Sequence, residues 1–228
     1  MIPPFRSERW GISHRIIRTI YPPVDLVEDI AAPADWELLA AAEARTNPRV
    51  LDAIGDLSLV PVERRVSGPT ASLVMGAFTH VSADRPGRFS DGRYGVWYRG
   101  DRFEVALAET AHHFERFMRA TNEPPGNADY RELVCAVHGS VADGSEPSLL
   151  DPNSWAQGQT FGRGVRSGGG DGVVWPSVRY PAGRALALFW PDCITLPVIE
   201  ARQFRYGWDG QRMHRYLVHG ARAWTPFP

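Results

Sequence analysis

The feature that most constrains the fold is one long amphipathic helix in the middle of the chain. Apolar side chains recur there at helical spacing, at Phe103, Leu107, Ala111, Phe114 and Met118. Asp101 and Glu104 have the spacing of a capping box at the start of this stripe, and the Asn-Glu-Pro-Pro segment at 122–125 ends it. The pattern predicts a single helix with one face packed on the core.

Apolar and alternating runs on both sides of this helix predict β-strands. They lie at residues 57–62, 71–79, 94–98, 131–138, 172–175, 184–190, 203–208 and 211–217. The last two flank Asp209-Gly210, which indicates a hairpin. Residues 33–55 predict two short helices separated by Asn47-Pro48, an N-terminal helical layer. Because the strands do not alternate with helices, the predicted fold class is α+β with mostly antiparallel pairing.

Composition excludes several kinds of protein. The chain has 228 residues, 43% of them hydrophobic, so we expect a single domain over 1–228, with about 1–56 as a helical extension. Its 25 basic and 26 acidic residues give no general attraction to nucleic acid or to an anionic membrane. Cys135 and Cys193 lie in apolar runs without metal-ligand spacing, so buried thiols in a reducing cytoplasm are expected. No apolar run approaches membrane-spanning length.

The stretch that leads into the long helix carries most of the functional signal. Arg88 lies in a polar loop, Tyr98 in a predicted strand and Glu109 in the helix. An arginine can fork onto phosphate, an aromatic ring can stack on a ligand, and a carboxylate can stabilise positive charge. Helical phase turns Glu109 away from the core stripe, onto a face with Val105 and His113. This face is a candidate site for holding a charged nucleotide.

Three other motifs allow both a functional and an ordinary interpretation. The glycine-rich segment 162–172 could cradle phosphate, but it matches neither the P-loop nor the dinucleotide pattern, and such segments are commonly flexible connectors. Glu109 and His112 have the spacing of a di-iron motif, yet a second copy on another helix is missing, so no metal site is predicted. Ser177 lacks the elbow motif of a hydrolase nucleophile, and its ordinary role is to satisfy a strand end.

Several segments together match the pattern of a known family. They are Gly87-Arg88-Phe89, Tyr98, Ala106-Leu-Ala-Glu109 and Asp171-Gly-Val-Val-Trp-Pro-Ser177-Val-Arg179. They resemble the RES-domain family, which is named for an arginine, a glutamate and a serine. Segments that begin at Thr46, Glu63, Val74 and Tyr206 are similar to a longer branch of that family. The resemblance covers nearly everything from about residue 20 onward.

The resemblance implies a fold similar to that of ADP-ribosyltransferase toxins, with a split, mostly antiparallel β core around an NAD cleft. It implies a toxin of a bacterial toxin–antitoxin pair that cleaves the nicotinamide–ribose bond of NAD+. Phosphate or water would be the acceptor, so NAD+ would be a substrate, inorganic phosphate a co-substrate, and no cofactor would be needed. A mono-ADP-ribosyltransferase that modifies a protein or nucleic acid stays open as an alternative, and so does a non-catalytic binding module.

The resemblance also implies roles for individual residues. The implied catalytic set is Arg88, Tyr98, Glu109 and Ser177. Arg64 and Arg65 compete for the role of an upstream arginine that contacts the phosphates of the substrate, and Arg65 is preferred. His113, one helical turn after Glu109, is predicted to support the substrate site, although packing explains its position equally well.

A binding partner is implied by the family alone. The expected partner is a cognate antitoxin of the Xre type, in a toxin–antitoxin hetero-oligomer of higher order than one to one. DNA would be reached only indirectly, through the antitoxin, and no membrane association is expected.

Overall fold

The computed structural model describes residues 4–21, 31–47, 49–152 and 154–227. Within them the strands are β1 (Arg6–Arg18), β2 (Trp97–Gly100), β3 (Gly126–Asp143), β4 (Gly172–Pro176), β5 (Arg184–Leu188), β6 (Ile199–Trp208), β7 (Met213–Val218) and β8 (Thr225–Pro226). The α-helices are α1 (Trp36–Glu43), α2 (Arg49–Ile54), α3 (Ala71–Thr79), α4 (Phe103–Ala120) and α5 (Ala156–Ser167). The α+β class, with mostly antiparallel strands, is confirmed.

The strands form one sheet that closes partly on itself. Its order is β1-β2-β5-β4-β3-β6-β7-β8, and β1 also pairs with β3. Five strands therefore make a closed circuit, while β6, β7 and β8 continue from β3 as an open extension. Every pairing is antiparallel except that of β3 with β4. The 18-residue strand β3 belongs to both parts, and it connects them into one framework.

Helices cover this sheet on different sides. The stripe of α4 packs on Tyr130 of β3 and Phe204 of β6, as the periodicity of Phe103 and Leu107 predicts. The buried helix α3 packs on another part of the sheet, and α5 covers a third cluster of buried side chains that includes Trp175 of β4. None of the helices in the described residues combines the length and apolar content needed to cross a membrane.

Two predictions about the N-terminal third are wrong. Residues 6–18 form β1, not part of a helical layer, and a bulge between Trp10 and Ser13 interrupts the alternation that would have marked this strand. Residues 71–79 form the helix α3, not a strand. An apolar run of this length has no distinct period when it is buried on all sides, so it fits a strand and a helix equally well.

Other differences are smaller. Residues 57–62 form short 3-10 turns and not a strand. The predicted strand at 94–98 begins three residues later, at Trp97. The helix α4 begins at Phe103, and Asp101 bonds the Arg102 side chain instead of making a capping box. The N-terminal helices α1 and α2 and the hairpin of β6 with β7 are confirmed, and Gly210 in that turn has a φ of 97°.

Candidate active site

The structure brings Glu109 and Ser177 into direct contact, although they are far apart in the sequence. The Ser177 hydroxyl donates to Oε1 of Glu109 at 2.8 Å. The same hydroxyl oxygen accepts from the backbone N–H groups of Arg179 and Tyr180, at 3.3 and 3.0 Å. Because those two donors occupy the lone pairs of Ser177, its single proton is directed at the carboxylate. The serine therefore serves to hold Glu109.

Burial sets the protonation behaviour of Glu109. It raises the pKa of the carboxyl above the ordinary value of 4.5, since the charged form is less well solvated. The Ser177 hydrogen bond and the charges of Arg88 and Arg179 lower the pKa and oppose this effect. A carboxylate in such surroundings exerts a stronger field on a neighbouring cation than an exposed one does.

Arg88 is buried beside this pair, on a loop that α5 holds in place. Its Nη1 donates to the carbonyl oxygens of Leu149 and Asp151, at 2.8 and 3.1 Å. Both contacts are made to backbone carbonyls, although the charge of Asp151 also raises the pKa of Arg88. Burial lowers the pKa of Arg88, and the negative charge of Glu109 raises it. The two groups therefore lie within electrostatic range of each other.

Tyr98 contacts the loop that carries Arg88. Its hydroxyl oxygen accepts from the backbone N–H of Phe89 at 3.1 Å, and its ring meets the Trp175 ring edge-on with centroids 6.3 Å apart. Burial raises the pKa of Tyr98 to about 12, although the charge of Arg88 opposes this. The phenol is therefore neutral at physiological pH, and it can act as a hydrogen-bonding and stacking group but not as a base.

The glycine-rich segment has a different role from either one predicted for it. Residues 162–167 of this segment belong to α5, which begins before the segment and also contains Gly158, where an added Cβ would lie 2.5 Å from the carbonyl oxygen of Arg88. A Cβ at Gly162 would lie 2.3 Å from the carbonyl oxygen of Phe89. The glycines therefore let the helix approach the loop closely, and Gln159 adds a hydrogen bond to the Gly87 carbonyl at 3.1 Å. The segment supports the site by packing, not as a flexible loop.

The structure does not bring Arg65 or Arg64 to this cluster. Arg65 is buried, and its guanidinium donates to the carbonyls of Val60, Pro33 and Leu57 and to Glu37. Arg64 bonds Asp171 at 2.7 Å and Asp192 at 2.9 Å. These contacts connect segments of the fold, so the substrate-binding role predicted for Arg65 gains no support.

His113 lies at the edge of the site and is exposed. The centroid of its ring is 5.6 Å from the ring centroids of His112 and Trp155. The guanidinium of Arg116 lies over the Trp155 ring, 4.3 Å from its centroid. His113 therefore contacts aromatic neighbours, and among the described residues it shows no hydrogen bond to Glu109. Its predicted part in the substrate site stays a prediction. No group of three or more potential metal ligands occurs among the described residues.

Two further arginines belong to the site, and the sequence interpretation gave neither a role. Arg179 follows Ser177 by two residues and bonds His112, with Nη2 and Nε2 2.9 Å apart. Arg15 of β1 donates to the Tyr98 carbonyl at 3.3 Å and stacks on the Trp97 ring at 4.3 Å. Arg179 was visible in the block that ends the serine motif. Arg15 had no such signal, because only the pairing of β1 with β2 brings it near Tyr98.

A cavity of about 920 Å³ adjoins the anchor of Arg88 through Leu149. Its described lining consists of Pro4, Asp143, Ser145, Glu146, Ser148, Leu149, Ala156, Gln157, Thr160 and Phe161. This described lining includes two acidic residues, one of them paired with Arg6, and no cationic residue, so it offers a phosphate group no charged partner of its own.

Comparison with known proteins identifies the family. The RES domain model matches residues 62–209, which is more than half of the chain, so this protein belongs to the RES domain family. An uncharacterized protein, y4oC, of Sinorhizobium fredii (strain NBRC 101917 / NGR234) is 26% identical over 202 residues, covering 88% of this chain and 84% of that protein. A chain in the crystal structure of the M. tuberculosis MbcT–MbcA toxin–antitoxin complex is 16% identical, with a TM-score of 0.38, covering 54% of this chain and 72% of the other.

Proposed function

We propose that this protein cleaves the nicotinamide–ribose bond of NAD+ and acts as the toxin of a toxin–antitoxin pair. The observation that carries this proposal is the buried carboxylate of Glu109, which Ser177 holds and which lies within electrostatic range of Arg88 and Arg179. The group thus combines one fixed negative charge with two cations whose fields reach it. Such a set suits a substrate that develops positive charge next to a pyrophosphate. Membership of the RES domain family gives independent support.

The chemistry of NAD+ explains why a carboxylate is needed. Nicotinamide leaves as a neutral base from a cationic N-glycoside, so the main barrier is the formation of a ribosyl cation with oxocarbenium character. Glu109 stabilises this cation and accepts a hydrogen bond from a ribose hydroxyl. Because the Ser177 hydroxyl already holds the carboxylate, it does not need to reorganise when the charge develops.

The remaining groups bind and orient the substrate. Arg88, which is anchored by carbonyls and not neutralised by them, forks onto the phosphates. The neutral ring of Tyr98 stacks on nicotinamide, which is a cationic aromatic before cleavage. Tyr98 also fixes the loop of Arg88 through Phe89, so one side chain contributes to both binding and geometry.

The acceptor and the partner are part of the same proposal. The ribosyl cation is captured by phosphate, which makes the enzyme an NAD+ phosphorylase, or by water, which makes it a glycohydrolase. A cognate antitoxin of the Xre type blocks the cleft in a hetero-oligomer, as the family implies. The protein acts in the cytoplasm, where NAD+ and the antitoxin are present.

The direct test is to incubate the purified, antitoxin-free protein with NAD+ in the presence and absence of inorganic phosphate and to determine the product masses. ADP-ribose-1″-phosphate identifies the phosphorylase and free ADP-ribose the glycohydrolase. Mass added to a protein or nucleic acid in place of these products would identify an ADP-ribosyltransferase. Intact NAD+ under all conditions would contradict the proposal and favour a binding module.

A further inference from the structure

Arg179 differs from the other arginines near the site in the hydrogen-bond partner of its guanidinium, which is a histidine. Its Nη2 bonds Nε2 of His112 at 2.9 Å, and its own chain segment is fixed by the turn around Ser177. An arginine can only donate, so Nε2 of His112 must accept, and the imidazole proton must lie on Nδ1. The guanidinium is therefore oriented by a neutral acceptor, which leaves its full positive charge in place.

This charge has no carboxylate partner among the described residues. Arg64 forms ion pairs with Asp171 and Asp192. Arg179, in contrast, forms no ion pair within 4.0 Å with any acid of the described residues. The Arg179 charge does lower the pKa of Glu109, but the hydrogen bond to that carboxylate comes from Ser177. No Arg179 nitrogen is among the buried side-chain atoms that lack a partner in the described residues, so its unused N–H donors are open to solvent and can bind an anion.

The surroundings favour an anion as well. Positive charge from Arg179, Arg116, Arg119 and Arg88 reaches His112, and together with partial burial it lowers the pKa of His112 to about 4. The imidazole is thus neutral at physiological pH, and the local potential is positive. Both Arg88 and Arg179 act electrostatically on Glu109 and on each other, so an anion that both arginines contact would be close to the carboxylate that stabilises the sugar cation.

We propose that Arg179, oriented by His112, binds the phosphoryl oxygens of the reacting ligands, the role that the sequence had suggested for Arg65. The ligand is the pyrophosphate of the dinucleotide or the free phosphate that captures the ribosyl cation. Both share the oxyanion chemistry that a planar guanidinium recognises with two parallel hydrogen bonds. The choice of ligands rests on the proposed function, whereas the anion site itself rests on the Arg179–His112 geometry. His112 is a positioning residue in this account.

The test measures ligand affinity, by calorimetry, for ADP-ribose, inorganic phosphate and nicotinamide. Arg179→Gln is expected to weaken binding of at least one of the two anions by roughly tenfold or more, the scale of a lost charged hydrogen bond. Nicotinamide, which carries no phosphate, should bind as before. Weaker binding of ADP-ribose assigns the pyrophosphate, and weaker binding of phosphate alone assigns the acceptor. Wild-type affinity of Arg179→Gln for both anions would overturn the inference.

Three further variants separate this role from a structural one. Arg212→Gln removes a charge from a side chain that is 72% exposed and should leave all three affinities unchanged. His112→Gln keeps a hydrogen-bond acceptor for Arg179 and should retain most of the anion affinity, whereas His112→Leu should lose it. Equal affinities for these two His112 variants would contradict the positioning role. A wild-type protein that binds anions through Arg179 but leaves NAD+ intact would refute the proposed function and not this inference.

Discussion

At the scale of single residues, the site depends on the way in which Ser177 and Glu109 share one hydrogen bond. The serine proton is directed at the carboxylate because two backbone N–H groups occupy the hydroxyl oxygen. In the proposed reaction, Ser177 would therefore act through the protonation and orientation of Glu109, without a nucleophilic step of its own. The same contact gives the serine of the sequence motif a role that its ordinary interpretation as a strand-end hydroxyl does not include.

Ser177→Ala is expected to move the acid limb of the pH profile to higher pH. The hydrogen bond lowers the pKa of Glu109, so its removal raises that pKa, and the carboxylate protonates earlier as the pH falls. The quantity to measure is kcat/KM for NAD+ between about pH 4 and pH 9.

Ser167→Ala is the matched control, because this exposed hydroxyl bonds only the Gly164 carbonyl at the end of α5. Its acid limb should coincide with that of the wild-type protein. An acid limb of Ser177→Ala that stays in place, or moves to lower pH, would contradict the role assigned to the serine.

The sequence identified the site residues that lie within recognisable sequence motifs. Arg88, Tyr98, Glu109 and Ser177 were all named, and the structure brings them together. Arg179 and Arg15 were not given roles, because an arginine is far more often a surface charge than a ligand contact. What distinguishes Arg179 is a missing carboxylate and a histidine from another element, and neither is readable from local sequence.

At the scale of elements, α5 determines where the Arg88 loop can lie. Gly158 and Gly162 are one helical turn apart, and both face the backbone of residues 88 and 89. The contact explains why glycines occur in a helix, where each one costs backbone entropy. From the sequence, the glycines indicated a flexible connector. The need for a residue without a side chain is visible only when the backbone that packs against the helix is known.

Gly158→Ala is expected to displace the Arg88 loop and reduce NAD+ turnover. The new Cβ would lie 2.5 Å from the Arg88 carbonyl oxygen, and a backbone atom cannot move away as cheaply as a side chain. A shift of about 1 Å in a positioning group lowers activity on the order of 100-fold, and overpacking costs about 1–3 kcal/mol of stability.

The matched control is Gly76→Ala in α3, where the nearest atom to a new Cβ is 3.8 Å away. This substitution should stabilise the protein by up to about 1 kcal/mol and leave turnover unchanged. Thermal unfolding and NAD+ consumption are measured for both variants. Full activity of Gly158→Ala would show that the close approach of α5 does not set the site geometry.

Long-range pairing limits what could be predicted about the elements. The helix α4 and the strands β3 to β7 follow from their periodicity, whereas the two-residue strand β8 was not predicted. The strand β1 was missed because its bulge breaks the alternation, and because its charged residues resemble an exposed terminus. The helix α3 was taken for a strand because it is buried on nearly every side, which removes the polar face that marks a helix.

At the scale of the whole molecule, β1 closes the sheet circuit. It pairs with β3 along most of its length and reaches β2 at His14 and Gly100. The family model covers only residues 62–209, so the strand that completes the sheet lies outside the part by which the family is identified. The strand β1 therefore has a structural role, and it also contributes Arg15, which bonds the Tyr98 carbonyl.

A fragment of residues 62–228 is expected not to fold. Without β1, the backbone groups of β3 that pair with it would lose their partners, and Trp10 and Ile16 would leave the core. Circular dichroism should show no cooperative thermal transition for this fragment. A protein that begins at residue 4 keeps β1 and is the control, with an unfolding transition like that of the full chain. A cooperative transition of the fragment would show that the circuit is not required.

The central claim is that the buried carboxylate of Glu109 stabilises a ribosyl cation from NAD+. Glu109→Gln preserves the size of the side chain and an oxygen that can accept from Ser177, so folding and NAD+ binding should remain. Turnover should fall by at least ~100-fold, the usual scale for the loss of one preorganised electrostatic group. Glu104→Gln makes the same change in the first turn of α4 and should keep wild-type turnover. Near-normal NAD+ consumption by folded Glu109→Gln would contradict the account.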